Sequence, residues 1–582
     1  MGFDVFRPEY PSGQYLFDVG FTQGPNPQQA SGTAGFGLAT FLLGAPTGGQ
    51  ITGDPRFHTS QKYWAPYIQD DWKVTKKLTL NLGLRYEYQT PWIEKDDQLT
   101  FFDPDATDPL TGRKGVVRLV GRDGVSRYQS DPDRNNVAPR VGFAWHFAEH
   151  TVLRGGYGIV YYPGSGGIGS APSDLGGGGF LTTTGVNLGQ LPTNLLGAPN
   201  TPPPGSSLAS PFTAGYFEPP ATQVGGSVTT AFRDLRTPYA HMWNVSLQRE
   251  LPWQMIGEVA YVGTRHRDLW TNLARNTVPS EYLSQGVALN QPVPNPFFGL
   301  IRSGDAVLTG RTTNAAQLLK PFPQYNGITR FRDSVGDAWY DGLTLRLEKR
   351  SEKGLTYQLA YTLSREEDTV PERFGGRVSN GIVDPRDLGR SRAVVDDDRT
   401  HVLTANFIWE LPLGPGHRWA SHGWVSHVVG GWRLSGIGIF ATGHPLVLLM
   451  PVSNGPTGIG AYAKVVGDLR LPTGQQTYDR WFNNEKDPSK GPAVLPPDAF
   501  TLGDGKRTFP EVRGPKVKRL DLLLSRLQKI RRATFELRVE AQNALNTPQL
   551  ADPVGDYNSV SFGRIITGGG ERRLQLGVRL AF

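Results

Sequence analysis

The feature that most constrains this chain is an alternation of apolar and polar residues that recurs in segments of about ten residues. In the segment 78–88, leucine or tyrosine occupies every even position, while threonine, asparagine, glycine, arginine and glutamate occupy the odd ones. Successive side chains of a β-strand point to opposite faces, so one face of this segment is apolar and the other is polar. The pattern returns at 343–348, 355–364, 535–540 and 573–582. About ten residues is also the length of a β-strand that crosses a membrane.

Connection lengths add a second constraint. Thirteen strands are predicted to begin near residues 63, 77, 137, 151, 237, 254, 336, 354, 400, 430, 516, 533 and 571, and a fourteenth is predicted upstream at 13–23. Short links such as 74–77 alternate with long ones such as 89–136 and 163–236, and only 413–430 is intermediate. Transmembrane β-barrels alternate in this way between short periplasmic turns and long extracellular loops. The stretch 28–43 is predicted to hold one short helix.

Composition excludes several other classes. The chain of 582 residues has 72 glycines and 46 prolines, which argues against a helical bundle, and its lack of cysteine excludes disulfide scaffolds and thiolate metal sites. No apolar run is long enough for a transmembrane helix. The formal charge of +7 is spread without a basic block, so nucleic acid is not a predicted partner. The first residues do not form a signal peptide, which predicts either a cytosolic protein or a missing true N-terminus.

The aromatic residues decide between a membrane barrel and a soluble β-sandwich. They fall at the ends of the predicted strands on the apolar face, as in the interfacial girdles of membrane barrels, whereas a soluble core would place large rings centrally. The girdle candidates are Trp64, Trp72, Tyr86, Tyr88, Trp145, Tyr161, Trp243, Trp339, Trp409 and Trp432.

The opposite face of the strands carries charges of both signs, which is typical of a wide, hydrated lumen. The lumen-facing candidates are Arg85, Glu87, Arg346, Glu348, Arg538, Glu540, Arg573 and Arg579. Two interpretations stay open for them. They contact a plug or a passing solute, or they only hydrate the interior.

No catalytic or cofactor-binding pattern emerges, so the chain is predicted not to be an enzyme and to bind no cofactor or metal. The acidic clusters at 103–108 and 396–398 lack the ligand spacing of a calcium loop and are interpreted as solvated loop charge. Glu366 and Glu367 are adjacent on a strand and point to opposite faces, so they would not act as a carboxylate pair. No HExxH or GxSxG motif is present.

Seven segments resemble, in order, the barrel of Oar-like TonB-dependent outer-membrane receptors. They are YIQDDWKVTKKLTLNLGLRYE (67–87), NNVAPRVGFAWHF (135–147), TVLRGGYGIVY (151–161), YDGLTLRLEKRSEKGLTYQLAYTLSREED (340–368), GGWRLSGIGIFATGHP (430–445), FELRVEAQNALNTPQ (535–549) and the terminal FGRI with RRLQLGVRLAF. The resemblance implies a Gram-negative outer-membrane protein. Its complete form would have a regulatory domain, a plug and a barrel of about 22 strands.

The chain departs from this family pattern, because it contains no recognisable plug, TonB box or regulatory domain. It is therefore predicted to be the C-terminal barrel region of a longer protein. Residues 63–582 would supply barrel strands and loops, and residues 1–62 an N-terminal strand and loop with the possible helix. The terminal Phe582 resembles the signal read by the barrel assembly machinery, and an aromatic residue there also suits the membrane interface.

The resemblance implies solute uptake across the outer membrane, with plug and TonB box supplied by the complete protein. The implied partners are TonB, a plug, the assembly machinery, outer-membrane lipid and lipopolysaccharide. The alternative is a surface adhesion or matrix-binding protein whose barrel anchors the long loops. A soluble, secreted, β-rich hydrolase is disfavoured by the missing catalytic residues and by the girdle.

Overall fold

Thirteen consecutive antiparallel strands form one continuous sheet in the computed structural model of the chain. The structure describes residues 57–97, 99–162, 224–301, 305–350, 354–370, 381–417, 419–472, 474–530 and 533–582, with short N-terminal pieces at 2–5, 14–19, 35–42 and 48–50 and the single residue 22. We call this sheet the wall. Its strands are β1 (Tyr67–Lys73), β2 (Leu78–Tyr86), β3 (Val137–Ala148), β4 (Thr151–Tyr161), β5 (Tyr239–Leu251), β6 (Met255–Ala274), β7 (Gly327–Lys349), β8 (Leu355–Asp368), β9 (His401–Glu410), β10 (Trp432–Ala441), β11 (Val517–Ile530), β12 (Ala533–Gln542) and β13 (Arg573–Ala581).

The thirteen strands predicted from residue 63 onward are confirmed. The largest shift is at β7, which begins at Gly327 rather than near 336. The fourteenth prediction, a wall strand at 13–23, is wrong, because Gln14–Leu16 pairs with Gly48–Gln50 in a separate two-stranded sheet. Two short strands complete the fifteen-stranded sheet: Ser227–Thr230 runs parallel to the start of β7, and Ala393–Val394 pairs with the end of β8.

The cross-strand register carries the apolar face from strand to strand. Leu80 of β2 lies opposite Phe143 of β3, and Leu153 of β4 lies opposite Leu247 of β5. Val259 of β6 then lies opposite Leu345 of β7. We call this apolar face the outer face and the opposite, polar face the inner face. A shift of one residue anywhere would exchange the two faces, so the alternation in the sequence fixes the register.

The two edge strands of the wall pair on one side only among the described residues. β1 pairs with β2, and β13 pairs with β12. Nearly every residue of both edge strands is exposed. Unpaired backbone groups in hydrocarbon cost several kcal/mol each, so in lipid these edges require further hydrogen-bonding partners.

The long connections all leave the same end of the wall, and we call their described residues (87–136, 224–238, 275–326, 369–400, 442–516 and 543–572) the cap. The cap contains the short strands Tyr88–Gln89, Ile93–Glu94, Thr100–Thr107, Lys114–Leu119, Pro292–Pro294, Thr312–Asn314, Pro445–Leu446, Lys464–Val465, Val494–Leu495, Phe509–Arg513, Gln549–Leu550 and Gly568–Gly569. It also contains the α-helices Ala306–Thr309 and Ala315–Leu318 and the 3₁₀ segments Ser280–Asn290, Leu388–Ser391, Gly455–Thr457 and Pro488–Lys490. The sequence has a run of four glycines at 176–179 and a run of three prolines at 202–204, and both lie outside the described residues.

Hydrophobic cores join the cap connections to one another. One core packs residues of 442–516, including Phe482, against Phe562 of the last connection. A second core unites Phe102 and Val117 of the first long connection with Phe297 and Tyr325 of the third. A smaller cluster packs Ile459 against residues of 275–326. The cap is therefore held by contacts between segments that are far apart in sequence.

A buried ion pair clamps the cap to the wall. Arg507 of the cap contacts Asp368, the last residue of β8, and donates from Nε to the carbonyl oxygen of Ser391 at 3.2 Å. Both side chains are almost fully buried. Burial lowers the pKa of Arg507 to about 10. Breaking such a pair leaves an uncompensated buried charge, so this contact fixes where the cap sits on the wall.

The remaining elements lie near the N-terminus and at the short-turn end. The short strands Gly2–Val5 and Phe57–Ser60 pair with each other, and Tyr63–Trp64 pairs with Tyr88–Gln89. A helix occupies Gly37–Leu42, within the stretch where one was predicted. A second helix, Gly423–Val429, lies in the intermediate connection between β9 and β10. No helix among the described residues is long and apolar enough to cross a bilayer.

Candidate solute site at the cap end of the wall

The eight lumen-facing candidates all lie on the inner face, opposite the leucines, and many of their charges are paired within one strand. Arg85 Nε lies 2.9 Å from Glu87 Oε1, and Arg346 lies 2.9 Å from Glu348. Each pair is formed by residues i and i+2, which share a face. The inner face is therefore lined by neutralised pairs rather than by a field of one sign.

Two further inner-face pairs contain three residues that were not among the predicted ones: Glu536, Arg519 and Asp521. Arg538 pairs with Glu536 at 2.6 Å, and Arg519 pairs with Asp521 at 2.9 Å. The same i, i+2 spacing of opposite charges in a strand would have found both. Glu540 and Arg579 are placed by the register, in which Glu540 lies opposite Gln575 and Arg579 lies opposite Glu536. Arg573 lies opposite Gln542.

Near the cap, the inner face of β2 ends in a connected polar group. The Tyr63 hydroxyl donates to Glu87 Oε2 at 3.0 Å, and Arg85 donates to the same hydroxyl at 3.0 Å. Glu87 is almost fully buried. These contacts fix the three side chains relative to one another on the inner face, at the end of β2 nearest the cap.

Above this group, the next residues along the chain line a cavity of about 70 Å³. Its walls come from Gln61, from the first and second long connections, and from the cap ends of β6 and β7. They include amide, aromatic and guanidinium groups, among them Gln89, Trp92, Arg236, Trp270 and Arg332. One water molecule requires about 10–15 Å³ of a volume measured in this way, so the cavity holds a few waters or one small group of a ligand and not a large solute.

Hydrogen bonds hold the frame of the cavity. Trp270 Nε1 donates to the carbonyl oxygen of Arg236 at 2.8 Å, and the backbone N–H of Thr237 donates to Asp133 at 2.8 Å. The Arg332 guanidinium lies 5.2 Å from the centroid of the Trp270 ring, within the range of a cation–π interaction. The lining also includes the carboxylates of Asp131 and Asp133, and Asp131 pairs with Arg233. Arg332 beside the Trp270 ring is the part of the cavity that suits an anionic or aromatic group of a ligand.

The ten girdle candidates all lie on the outer face, in two belts. The belt near the short turns contains Trp72, Trp145, Trp409 and Trp432, and the belt toward the cap contains Trp64, Tyr86, Tyr88, Tyr161, Trp243 and Trp339. Trp64 and Tyr88 stack with ring centroids 5.7 Å apart. Phe582 directly follows β13 and is 96% exposed.

The acidic clusters form contacts inside the cap. Asp398 accepts from Arg513 at 2.8 Å and from the backbone N–H of Glu366. Asp108 is fully buried and accepts from the backbone N–H of Thr111 at 3.0 Å. These carboxylates build turns and tie connections together, which the sequence pattern alone did not reveal.

Comparisons with known proteins agree with the architecture. A family model described as an outer membrane beta barrel domain matches residues 1–575. No curated protein matches the chain significantly.

Several solved structures are similar to the chain at low identity. The outer membrane transporter YddB from Escherichia coli is 11% identical, with a TM-score of 0.38 over 90% of this chain and 55% of that one. The siderophore receptor PiuA from Acinetobacter baumannii is 11% identical, with a TM-score of 0.36 over 97% and 50%. The ferric citrate transporter FecA is 10% identical, with a TM-score of 0.35 over 95% and 48%. The chain spans about half the length of these proteins.

Proposed function

The chain belongs to the outer membrane β-barrel domain family and lies in the outer membrane, and from this premise we propose that it forms the wall and cap of an Oar-like TonB-dependent receptor that takes up a solute. The observation that carries the proposal is that the paired Arg85 and Glu87 of the inner face are followed along the chain by Gln89, which lines the cavity beside Arg332 and Trp270. A solute bound by the cap would meet a polar, charge-balanced surface leading inward. The eight inner-face candidates and the two outer-face belts keep their predicted roles in this proposal.

A plug and a TonB box are proposed to come from the complete protein, with TonB as the partner that supplies energy. The chain itself contributes binding and passage and performs no catalytic step. The similar structures include receptors and transporters for siderophores and ferric citrate, and a chelated ferric ion is the solute class we propose to test first. Such chelates are anionic and often aromatic, which matches the arginine and tryptophan groups of the cavity.

The test measures binding of ferric citrate and of a ferric tris-catecholate to the full chain in detergent micelles, followed by tryptophan fluorescence. Arg332→Gln is expected to weaken binding by about tenfold, the loss of one charge-assisted hydrogen bond worth about 1.5 kcal/mol. Arg311→Gln is the matched control, because Arg311 also lies over an aromatic ring, 5.0 Å from the Phe298 centroid, but outside the cavity. Equal binding by both variants, or no binding by the unaltered chain, would count against the site.

Lipid partners are proposed at the belt toward the cap. On the outer face, Arg265 pairs with Asp341 at 2.9 Å and Arg267 pairs with Asp337 at 2.9 Å. The Arg392 guanidinium lies 4.1 Å from the centroid of Trp339. Arginines at this height meet the headgroups of the outer leaflet, where lipopolysaccharide phosphates would bind. The expected result of Arg265→Gln with Arg267→Gln is less lipopolysaccharide copurifying with the chain, with Arg311→Gln as the cap control.

Phe582 is proposed as the signal for the barrel assembly machinery. Replacing it with alanine is expected to slow assembly into the outer membrane, measured by the fraction of protein in purified outer membranes. Phe535→Ala on the outer face of β12 is the matched control, since it removes the same side chain from a strand interior.

The alternative, surface adhesion or matrix binding, is favoured by the cap itself, because its connections share packed cores. A rigid outer surface suits protein binding as well as solute capture. Deleting the complete gene separates the two functions. Loss of ferric chelate uptake with unchanged attachment to a matrix-coated surface supports the receptor, and the reverse result supports the adhesin.

A further inference from the structure

The intermediate connection between β9 and β10 contains the second helix noted above, at the end of the wall where all other connections are short turns. Residues 411–431 separate Glu410 from Trp432, and the helix, which we call the turn-side helix, spans Gly423–Val429. On the barrel orientation of the family, short turns face the periplasm. The turn-side helix therefore lies at the periplasmic boundary of the membrane.

One side of the turn-side helix packs against its own connection. An added Cβ on Gly414 would lie 2.5 Å from the Cα of Gly430, so only glycine permits this close approach of the two segments. Gly414 also has a φ of +98°, which favours glycine. Ser426 is buried, and its hydroxyl donates to the carbonyl oxygen of Gly423 at 2.6 Å. The connection is a folded unit and not an open loop.

The other side of the turn-side helix presents large apolar side chains. Trp424 is 78% exposed, Val428 is 53% exposed and Val425 is 42% exposed. Trp419, in the same connection, is 52% exposed. Within 411–431 the only Asp, Glu, Lys or Arg in the sequence is Arg418. A helix facing water on this side would carry charged residues, so this patch requires an apolar or interfacial environment.

The position of the turn-side helix indicates which apolar or interfacial environment its exposed side contacts. Trp432 Nε1 donates to the carbonyl oxygen of Val428 at 3.2 Å, which ties the helix to the first residue of β10. Trp432 lies on the outer face and, in the register, its neighbour Leu434 lies opposite Trp409. The helix is therefore attached at the height of the belt near the short turns and on the outer face of the wall.

We propose that the exposed side of the turn-side helix inserts into the interface of the periplasmic leaflet, where it anchors the wall to phospholipid. Tryptophan favours the boundary between headgroups and acyl chains. A short amphipathic helix with few charges lies in the plane of that boundary with its apolar side toward the acyl chains. This role goes beyond solute uptake and does not depend on it, because the anchor would act whatever the cap binds.

The test uses site-directed spin labels, since the chain has no cysteine and a single introduced one is unique. Trp424→Cys and Val428→Cys are prepared separately as full chains, labelled, and placed one per phospholipid nanodisc. Collision with dissolved oxygen, which concentrates in lipid, is compared with collision with a water-soluble nickel chelate. Leu345→Cys on the outer face is the lipid control, and Tyr478→Cys, exposed in the cap, is the water control.

For labels at 424 and 428, the ratio of the collision rate with oxygen to that with the nickel chelate is expected to lie severalfold above that of the Tyr478→Cys label and below that of the Leu345→Cys label, which lies in the apolar band. A ratio like that of Tyr478→Cys would overturn the proposal, because the helix would then face water. Protection from both reagents would also overturn it, because the helix would then be covered by protein. Circular dichroism of each variant shows whether the sheet is retained, and the second label position replaces any variant that does not fold.

Discussion

In the cap, Phe101, Tyr462 and Phe482 have at most 1% of their surface exposed, whereas in the wall Leu345, Leu359 and Trp145 are 43%, 39% and 44% exposed. The buried hydrophobic residues of the wall are few among the described residues, and they lie near the cap ends of the strands: Ala138, Ala240, Leu273, Ile328 and Ala338. Apolar side chains of the same kinds are therefore found in two different environments. In the cap these side chains pack against one another, as in a water-soluble domain. In the wall they lie on the outer face, where they contact lipid.

The difference teaches where stability comes from in each region. Removing a side chain from the cap leaves a cavity in a packed interior. Removing one from the outer face of the wall leaves a gap that lipid fills. The stability of the cap is therefore expected to depend on the volume of its buried side chains. The stability of the wall is expected to depend on whether a charged residue is placed on its outer face or its inner face.

The largest expected effect is in the cap core. Phe482→Ala should destabilise the cap by about 3–5 kcal/mol, because it removes a fully buried ring that packs against Phe562 at a centroid distance of 5.2 Å. Hydrogen–deuterium exchange in nanodiscs should show faster exchange at 446–512 and unchanged exchange in the wall strands. Leu359→Ala on the outer face is the control and should leave the cap unaffected. Simultaneous loss of protection in both regions would show that they unfold as one unit.

The next effect tests the faces of the wall. Leu345→Arg should cost about 2–4 kcal/mol, because it places a charge in the apolar band. Thr344→Arg, one residue away on the inner face, should cost much less, since its neighbours there are Ala260 and Thr362. Folding and unfolding titrations in phospholipid vesicles compare the two variants. A larger cost for the threonine variant would mean that the outer and inner faces are assigned in reverse.

A smaller effect concerns a charge buried in the cap. Lys320 is 7% exposed and donates to the carbonyl oxygen of Asn326 at 2.7 Å, and burial, opposed by Asp305, lowers its pKa to about 8 from 10.5. The lower pKa corresponds to a penalty of about 3 kcal/mol while the lysine is charged. Between pH 8 and 10.5 the unfolded chain binds a proton that the folded chain does not, so stability of the cap rises with pH in this range.

Lys320→Met should therefore stabilise the cap by about 2 kcal/mol at pH 7, after about 1 kcal/mol is subtracted for the lost hydrogen bond. The advantage should shrink as the pH rises from 8 toward 10.5. The difference in stability is measured from the hydrogen–deuterium exchange rates of residues 312–326, compared at each pH between Lys320→Met and the unaltered chain. An advantage that does not change with pH would mean that the lysine is already neutral or well hydrated.

The smallest expected effect is on the inner face of the wall. Glu348 pairs with Arg346 at 2.9 Å and with Arg350 at 2.6 Å, and Arg346 and Arg350 are more than a third exposed. Glu348→Gln should cost less than about 1 kcal/mol, because water screens such pairs. Thermal unfolding in micelles at low and high salt checks this. A loss of several kcal/mol would indicate that the inner face is dry.

The sequence predicts the wall well because its signal is local. Alternation over ten residues specifies both the strand and its faces, so the inner position of Arg346 and the outer position of Trp339 follow from their neighbours alone. Charge pairs at i and i+2 are local as well. Glu536 and Asp521 could have been identified by the same rule.

The cap and the cavity could not be predicted, because their contacts join segments far apart in the chain. The partner of Asp368 is Arg507, and the core around Phe482 is completed by Phe562. Gly, Pro and Ser-rich connections predict irregular structure, yet several of them share packed cores. The residues that frame the cavity, such as Trp270 and Arg332, carry no motif that distinguishes them in sequence.

The pairing of inner-face charges within single strands has a consequence for how the wall enters the bilayer. Arg346 with Glu348 and Arg538 with Glu536 each lie on one strand, and Glu87 directly follows the strand that holds Arg85. Both charges of each pair therefore belong to one short chain segment, and their pairing does not require a neighbouring strand. A hairpin can then be inserted with these charges already neutralised, which reduces the electrostatic cost of each insertion step. The wall could be extended or shortened by whole hairpins over evolutionary time without leaving these ions unmatched.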